Sequence, residues 1–255
     1  MGKDKLRKFA ENESFRCMIQ PTTQEVMGCD HPLKGRWKSD FFHNDNPIVL
    51  ELGCGKGDYT VALALRNPQV NYIGVDIKGA RMWKGAKYVE QNHIPNAAFL
   101  RTRIEFISSL FAPGEVSEIW ITFADPQIGR EKKRLTAPLF LSRYAGFLQA
   151  DGAVHLKTDS RYLYEYTRTL CQVNALPCAF ATHDLYREDR QAPTAPDAAL
   201  FEVQTFYEKH FLAQNYPICY LKFSLAGKNT FVSPDWDEER WKDENHHAFV
   251  IQVHE

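Results

Sequence analysis

The sequence predicts an α/β fold built on a mostly parallel, doubly wound sheet. Three observations carry that reading. Short apolar runs alternate with helix-periodic stretches from residue 48 to about residue 173, the pattern of parallel strands joined by crossover helices. A glycine-rich turn, Gly53, Gly55 and Gly57, stands between the first such run and the first helix. Carboxylates (Glu51, Asp76, Asp125 and Asp159) fall at the carboxyl ends of four strand candidates, where sheets of this kind bind ligands.

The first core strand is the run 48–50, closed by Glu51. Glycines after it let the backbone turn sharply and let a ligand approach with no Cβ in the way. Their spacing is G-x-G-x-G, not the G-x-G-x-x-G of a dinucleotide fold. Gly55-Lys56 also lacks the earlier glycine of a P-loop. A helix follows over 59–65. The second strand, 71–76, ends in Asp76, 19 residues after Gly57. An acid roughly 20 residues past such a turn reaches ribose hydroxyls. Asp76 can also cap the next helix, and the two roles are compatible.

That helix spans 78–91. Met82, Ala86 and Val89 share one face, and Arg81, Lys84 and Lys87 form a solvated stripe on another. A short strand at 98–100 leads to Thr102 and Arg103, where a ligand-facing loop begins. A helix over 104–110 stops at Pro113-Gly114. The buried strand 118–123 runs into Ala124-Asp125-Pro126-Gln127, which turns the chain out of the sheet. The basic run Arg130-Glu131-Lys132-Lys133-Arg134 is next. A helix over 140–148, a strand over 153–158 ending at Asp159, and a helix over 160–173 complete the alternation. Residues 187–199 read as a loop, 206–214 as a helix and 218–223 as the last strand.

The flanks differ from this core. Residues 1–46 are polar, broken by Pro21, Pro32 and Gly35, and carry the clusters Lys3, Lys5, Arg7, Lys8 and Lys34, Arg36, Lys38. They read as a flexible arm that either touches an RNA backbone or is a solvated tail. The α/β domain proper is 47–226. The tail 227–255 is acidic, with Trp236 and Trp241, and carries no motif.

Composition narrows the class. With 255 residues and 44% hydrophobic content the chain can bury a large core. No apolar run approaches the ~18 residues of a membrane span, and the charged N-terminus is not a signal peptide. Six cysteines without metal-binding spacing read as free thiols in a reducing cytoplasm. A net charge of −1 argues against binding nucleic acid by bulk charge but leaves room for a local basic patch.

Glu51-Leu52-Gly53-Cys54-Gly55-Lys56-Gly57 resembles the nucleotide-binding turn of class I S-adenosylmethionine (SAM) methyltransferases. SAM carries a cationic sulfonium and ammonium and no pyrophosphate, so an acid beside the turn suits it. Four further segments follow in the same order: Gly74-Val75-Asp76-Ile77, Phe123-Ala124-Asp125-Pro126-Gln127 with its basic run, Lys157-Thr158-Asp159, and Thr205-Phe206-Tyr207-Glu208. Together they resemble the bacterial tRNA (guanine-N7)-methyltransferases over roughly residues 45–225. The resemblance implies a Rossmann-like class I methyltransferase with an antiparallel final strand, tRNA as partner, no metal, no membrane, and a monomer or homodimer. It implies that Glu51, Gly53, Gly55, Asp76, Thr102 and Asp125 hold SAM. It puts Gly129, Arg130, Lys132, Lys133, Asp159, Thr205 and Glu208 on the substrate side. Two places depart from the family. Ala124 stands where the family has Pro, and Gly129 where it has a substrate-contacting Lys, for which Arg130 or Lys132 could substitute.

Guanine N7 has a free lone pair, so its methylation needs alignment and stabilisation of positive charge rather than a general base. Asp125 and Asp159 are the expected catalytic acids, assisted by Glu208. Arg130, Lys132, Lys133 and Arg134 are expected to hold phosphates. The alternative set by Ala124 and Gly129 is a SAM- and RNA-binding paralogue that has lost turnover or changed substrate.

Overall fold

The computed structural model describes residues 2–187 and 199–241. In chain order these hold α1 (Gly2–Ser14), β1 (Met18–Ile19), α2 (Thr23–Val26), β2 (Ile48–Leu52), α3 (Asp58–Arg66), β3 (Asn71–Asp76), α4 (Gly79–Gln91), β4 (Ala97–Arg101), β5 (Val116–Thr122), α5 (Pro138–Ala145), β6 (Leu148–Thr158), α6 (Arg161–Val173), β7 (Cys178–Thr182), α7 (Ala199–Glu202), α8 (Phe206–Ala213) and β8 (Cys219–Ser224). The strands form one sheet in the order β1-β4-β3-β2-β5-β6-β8-β7. Strands β1 to β6 pair in parallel, and β8 runs antiparallel to both β6 and β7. The antiparallel final strand is as expected; β7 and β1 are additions to the expected sheet.

Strand β2 is buried along its whole length. Alternate residues feed two apolar layers, one holding Ile48, Leu50, Leu52, Ile119 and Ile121, the other Val49, Tyr59, Phe99 and Trp120. Burial on both faces is what helix-covered parallel strands require, and it explains why these strands read as unbroken apolar runs. Because β2 lies between β3 and β5, the strand order reverses there. The crevice at the carboxyl ends of β2 and β5 is therefore the topological switch point of the sheet.

The arm expected over 1–46 is built into the fold. Asn12 Nδ2 donates to the Gly79 carbonyl at 2.9 Å, and Glu11 accepts from Trp83 Nε1 at 2.9 Å and Lys87 Nζ at 3.1 Å, so α1 lies on α4. Trp37 opens a π-helical turn, Trp37–Phe42, and is wholly buried, with its indole N–H on the Leu110 carbonyl at 2.8 Å. The basic clusters of this region are partly neutralised within it: Arg7 pairs with Asp4 and Glu11, Lys8 with Asp4, Lys34 with Asp30, and Arg36 with Asp40. Polar composition hid this segment because it docks through a few aromatic anchors and hydrogen bonds.

Boundaries shift elsewhere. The helix expected over 104–110 is the 3-10 helix Ile104–Ser109. Proline at its first turn starts α5 at Pro138, earlier than expected, and β6 begins at Leu148 with a register shift against β5. The expected stripe on α4 is solvated: Arg81 and Lys84 are exposed, and Lys84 pairs with Asp58. All six cysteines are free thiols. Of the loop expected over 187–199, residues 188–198 lie outside the described residues, as do 242–255 of the tail. No described helix is long and apolar enough to cross a membrane.

Candidate active site at the switch point

The glycine turn sets the geometry. Gly53, Gly55 and Gly57 have φ of 79°, 56° and 74°, the left-handed region open to glycine. A Cβ on Gly57 would run into the Phe99 ring, so that glycine lets α3 pack closely on the sheet. Nothing lies within 4 Å of a Cβ built on Gly53 or Gly55. The space beside the first two glycines is thus open.

Glu51 is buried beneath this turn. Its Oε2 accepts from the Thr60 N–H at 2.9 Å and from Thr60 Oγ1 at 2.5 Å, and Thr122 Oγ1 lies 2.6 Å from its Oε1. One carboxyl therefore joins β2, α3 and β5 across the switch point. Burial pushes its pKa up to about 7, against the opposing pull of the Thr122 and Thr60 hydrogen bonds. Asp76 braces the turn from β3: its Oδ2 accepts the Gly55 N–H at 2.9 Å and its Oδ1 the Lys78 N–H at 2.8 Å. Asp76 does not cap α4, whose N-cap is Lys78 without a side-chain cap; it orders the turn that leads into that helix. Thr102, buried just past β4, donates its N–H to the Asp76 carbonyl at 3.1 Å.

Asp125 emerges from β5 after Phe123, whose φ is 51°. The Phe123 N–H bonds the Lys157 carbonyl at 2.9 Å, so the ends of β5 and β6 stay side by side as the chain turns out. Asp125 is exposed, and its Oδ1 accepts the Gln127 N–H at 2.9 Å. Register pairs Thr122 with Lys157, which brings Asp125 and Asp159 out at neighbouring strand ends. Asp159 is partly buried, and desolvation raises its pKa to about 6. The next residue, Ser160, caps α6 by accepting the Leu163 N–H.

The basic run divides. Arg130, Lys132 and Lys133 are exposed on or beside a short 3-10 turn, Glu131–Lys133. Arg134, expected among the phosphate ligands, is wholly buried. Its Nε donates to the Pro126 carbonyl at 2.9 Å and its Nη2 to the Gln127 carbonyl at 3.2 Å, and its guanidinium lies 4.0 Å from the Tyr166 ring centroid. It shapes the Asp125-Pro126 turn from beneath. Sequence reasoning missed this because four neighbouring cations look alike until the turn wraps one of them inward.

Thr205 and Glu208 form a capping box on α8. Glu208 is wholly buried; its Oε1 accepts from Tyr186 Oη at 2.6 Å and pairs with Lys157 Nζ at 2.6 Å. Lys157 also donates to the carbonyls of Leu200 and Val203 at 2.6 and 3.3 Å. Lys157 was not among the expected site residues. Its signal in the sequence was a lysine inside an apolar strand, upstream of a T-x-x-E cap. Glu208 therefore holds α8 against β6, and its carboxylate is engaged where direct base contact was expected. Gly129 is exposed at the loop tip. Among the described residues no cluster of His, Cys, Asp and Glu is arranged to hold a metal ion.

Sheet order, the left-handed glycine turn over open space, and acids at the switch point define a class I methyltransferase fold. Solved structures share it: the 16S rRNA methyltransferase KamB (TM-score 0.55, 15% identity, 78% of this chain and 92% of that one) and a 30S ribosomal methyltransferase from an uncultured bacterium (TM-score 0.52, 16% identity, 73% and 91%). Residues 45–221 match the family described as "Putative methyltransferase". The chain is 49% identical over 226 residues to the tRNA (guanine-N7)-methyltransferase of Christiangramia forsetii, covering 88% of this chain and 99% of that one. It is 46% identical over 239 residues to that of Bacteroides thetaiotaomicron, covering 94% and 92%. The chain belongs to the tRNA (guanine-N7)-methyltransferase family.

Proposed function

We infer that this protein transfers the methyl group of SAM to N7 of a guanosine in tRNA, with a variable-loop guanosine as the target. The observation that carries this reading is one assembly at the switch point. An open glycine turn and the acids Asp76, Asp125 and Asp159 stand at carboxyl ends of the parallel strands β2, β3, β5 and β6, and the exposed cations Arg130, Lys132 and Lys133 follow Asp125 in sequence, in a chain that matches nearly the full length of relatives with that activity.

The residues fit the cofactor. Space above Gly53 and Gly55 admits a nucleoside, and Asp76 has lone pairs left for ribose hydroxyls after accepting two backbone N–H groups. No phosphate cradle is needed for a ligand without pyrophosphate. Glu51 acts one step back, holding the turn through Thr60 and Thr122. Bound SAM would supply an electrophilic methyl carbon to the N7 lone pair, with the electron pair of the carbon–sulfur bond leaving on sulfur.

The chain's own groups align that attack and stabilise the cationic base. Asp125 and Asp159 accept from the N1–H and N2–H donors of the guanine edge, and their negative charge favours the purinium that forms. Lys157, Glu208 and Thr205 position α8 beside them. A base inside folded RNA has to be splayed out to reach these acids, and Arg130, Lys132 and Lys133 hold the backbone while it does.

The test is methyl transfer from labelled SAM to unmodified bulk tRNA, followed by nucleoside analysis. Label recovered as 7-methylguanosine is the expected result. SAM binding without label in tRNA would overturn this reading in favour of a paralogue with another substrate or none.

A further inference from the structure

We propose that the C-terminal segment 236–241 belongs to the substrate-binding machinery. In this proposal Glu238 is a positioning residue that clamps the loop 126–134 in the shape that presents its cations to RNA. The role of that loop rests on the tRNA reading above; the clamp itself rests on contacts in this chain.

Loop 126–134 is held at its base, where Gln127 N–H donates to Asp125 and Ile128 packs against the core, and in its turn, where Glu131 accepts from Tyr166 Oη at 2.5 Å; its tip at Gly129 needs a further tie. The loop leaves the sheet after Asp125, turns through left-handed backbone at Gln127 (φ 52°) and Gly129 (φ 68°), and is exposed at Gly129, Arg130, Lys132 and Lys133. Its internal order comes from three turn hydrogen bonds, Arg130 to Gln127, Lys133 to Arg130 and Arg134 to Glu131. The anchor is Arg134, which gathers the Pro126 and Gln127 carbonyls from inside. A wholly buried guanidinium needs a counter-charge. Glu238 supplies it, with Oε1 3.0 Å from Arg134 Nη2 and accepting Tyr162 Oη at 2.8 Å. The other oxygen, Oε2, accepts the Gly129 N–H. One carboxylate therefore ties the tip of the loop to its buried end.

The segment carrying Glu238 is itself seated. Trp236 and Trp241 stack at 5.6 Å and 11°, and both meet the edge of Tyr162; Trp236 also meets Tyr166. Both tyrosines come from α6, the helix that starts beside Asp159. Partial burial works against the Glu238 charge, but Arg134, the Gly129 N–H and Tyr162 together hold its pKa below the ordinary value. The Gly129 contact is made by its backbone N–H, held in a left-handed conformation open to glycine.

The sign of the effect separates a clamp from bulk charge. Removing an acid near a phosphate-binding loop strengthens RNA binding by electrostatics alone. Removing a clamp weakens it, because the loop must then be ordered at the moment of binding.

The experiment uses the full chain with Glu238→Ala, Glu238→Gln and Glu238→Asp, and Asp235→Asn as a charge control just outside that segment. Two readouts are taken: hydrogen exchange of the peptide spanning 126–134, without RNA or cofactor, and methylation kinetics on tRNA. Loss of a charged hydrogen-bond pair predicts about tenfold or greater faster exchange in that peptide and a KM for tRNA raised by about tenfold, with partial rescue in Glu238→Asp. The SAM Kd and the exchange of sheet peptides stay as in the wild type, and Asp235→Asn changes neither readout. Unchanged exchange at 126–134, or a KM for tRNA that is unchanged or lower, would overturn the proposal. So would loss of protection throughout the sheet in both Glu238→Ala and Glu238→Gln, which would make Glu238 a residue of global stability. Because exchange is measured without RNA, a wild type inactive on tRNA would sink the functional reading and leave the clamp to be decided by exchange.

Discussion

Lys157 and Glu208 pair at 2.6 Å with both side chains wholly buried. Each is satisfied further, Lys157 by the carbonyls of Leu200 and Val203 and Glu208 by Tyr186 and the Thr205 N–H. Removing one member leaves the other as an uncompensated buried charge. Glu208→Ala is expected to lower stability by about 3–5 kcal/mol, read from the urea midpoint. Thr205→Ala removes only the cap and should cost about 1 kcal/mol. Equal losses in the two variants would contradict the ion-pair account.

Glu51 makes stability depend on pH in an uncommon direction. Its folded pKa of about 7 lies above the ordinary 4.5. Between those values the folded chain binds more protons than the unfolded one, so this contribution to stability is complete below about pH 4.5 and is lost as pH rises through about 7. Glu51→Gln mimics the protonated carboxyl: its amide oxygen can accept from Thr60 while its NH2 donates to Thr122 Oγ1. Urea midpoints at pH 5 and pH 8 should differ less in the variant than in the wild type. Matching differences would refute the assignment.

Asp159 is expected to work as a carboxylate, and its pKa is about 6. Turnover should therefore fall as pH drops from 7 to 5, with a midpoint near 6. Asp159→Asn should lower kcat by about a hundredfold and abolish that acid limb, while the SAM Kd is retained. Full turnover in Asp159→Asn would show that the charge has no catalytic role.

Exposed and buried cations of one run should respond differently to salt. Replacing Arg130, Lys132 and Lys133 together with alanine removes up to three phosphate contacts. That should reduce the slope of log affinity for tRNA against log salt by about 2 to 3. Arg134→Ala should leave the slope unchanged and loosen the Asp125-Pro126 turn instead, raising KM at every salt concentration. A slope that falls in Arg134→Ala would place its guanidinium on the RNA.

Much of the framework was legible because it is local or periodic. Apolar runs marked β2, β3, β5, β6 and β8, and the spacing from Gly57 to Asp76 marked the ligand end of the sheet. What escaped was set by distance in the chain. The sequence suggested that Glu208 faces the substrate, but its partner Lys157 is far upstream, and only the packing of α8 on β6 brings them together. Arg134 looked like its neighbours until the turn of 126–134 buried it. Strand β1 has two residues, too few for any alternation to appear, and is fixed by pairing with β4. Glu51 was legible as an acid beside the turn, whereas its threonine partners on α3 and β5 were not.

That edge pairing has a temporal meaning. Met18 pairs with Phe99 and Ile19 with Leu100, and α1 rests on α4. Residues 2–19 thus have no docking surface until α4 and β4 have been synthesised. Closing so long a loop carries an entropic cost that local contacts cannot offset in advance. During synthesis, at about 5–20 residues per second, α1 and β1 wait several seconds as an unpaired strand and a lone helix too short to be stable by itself. Residues 2–19 are in this sense a late arrival, added to the sheet edge once the glycine turn and its neighbouring strands already exist.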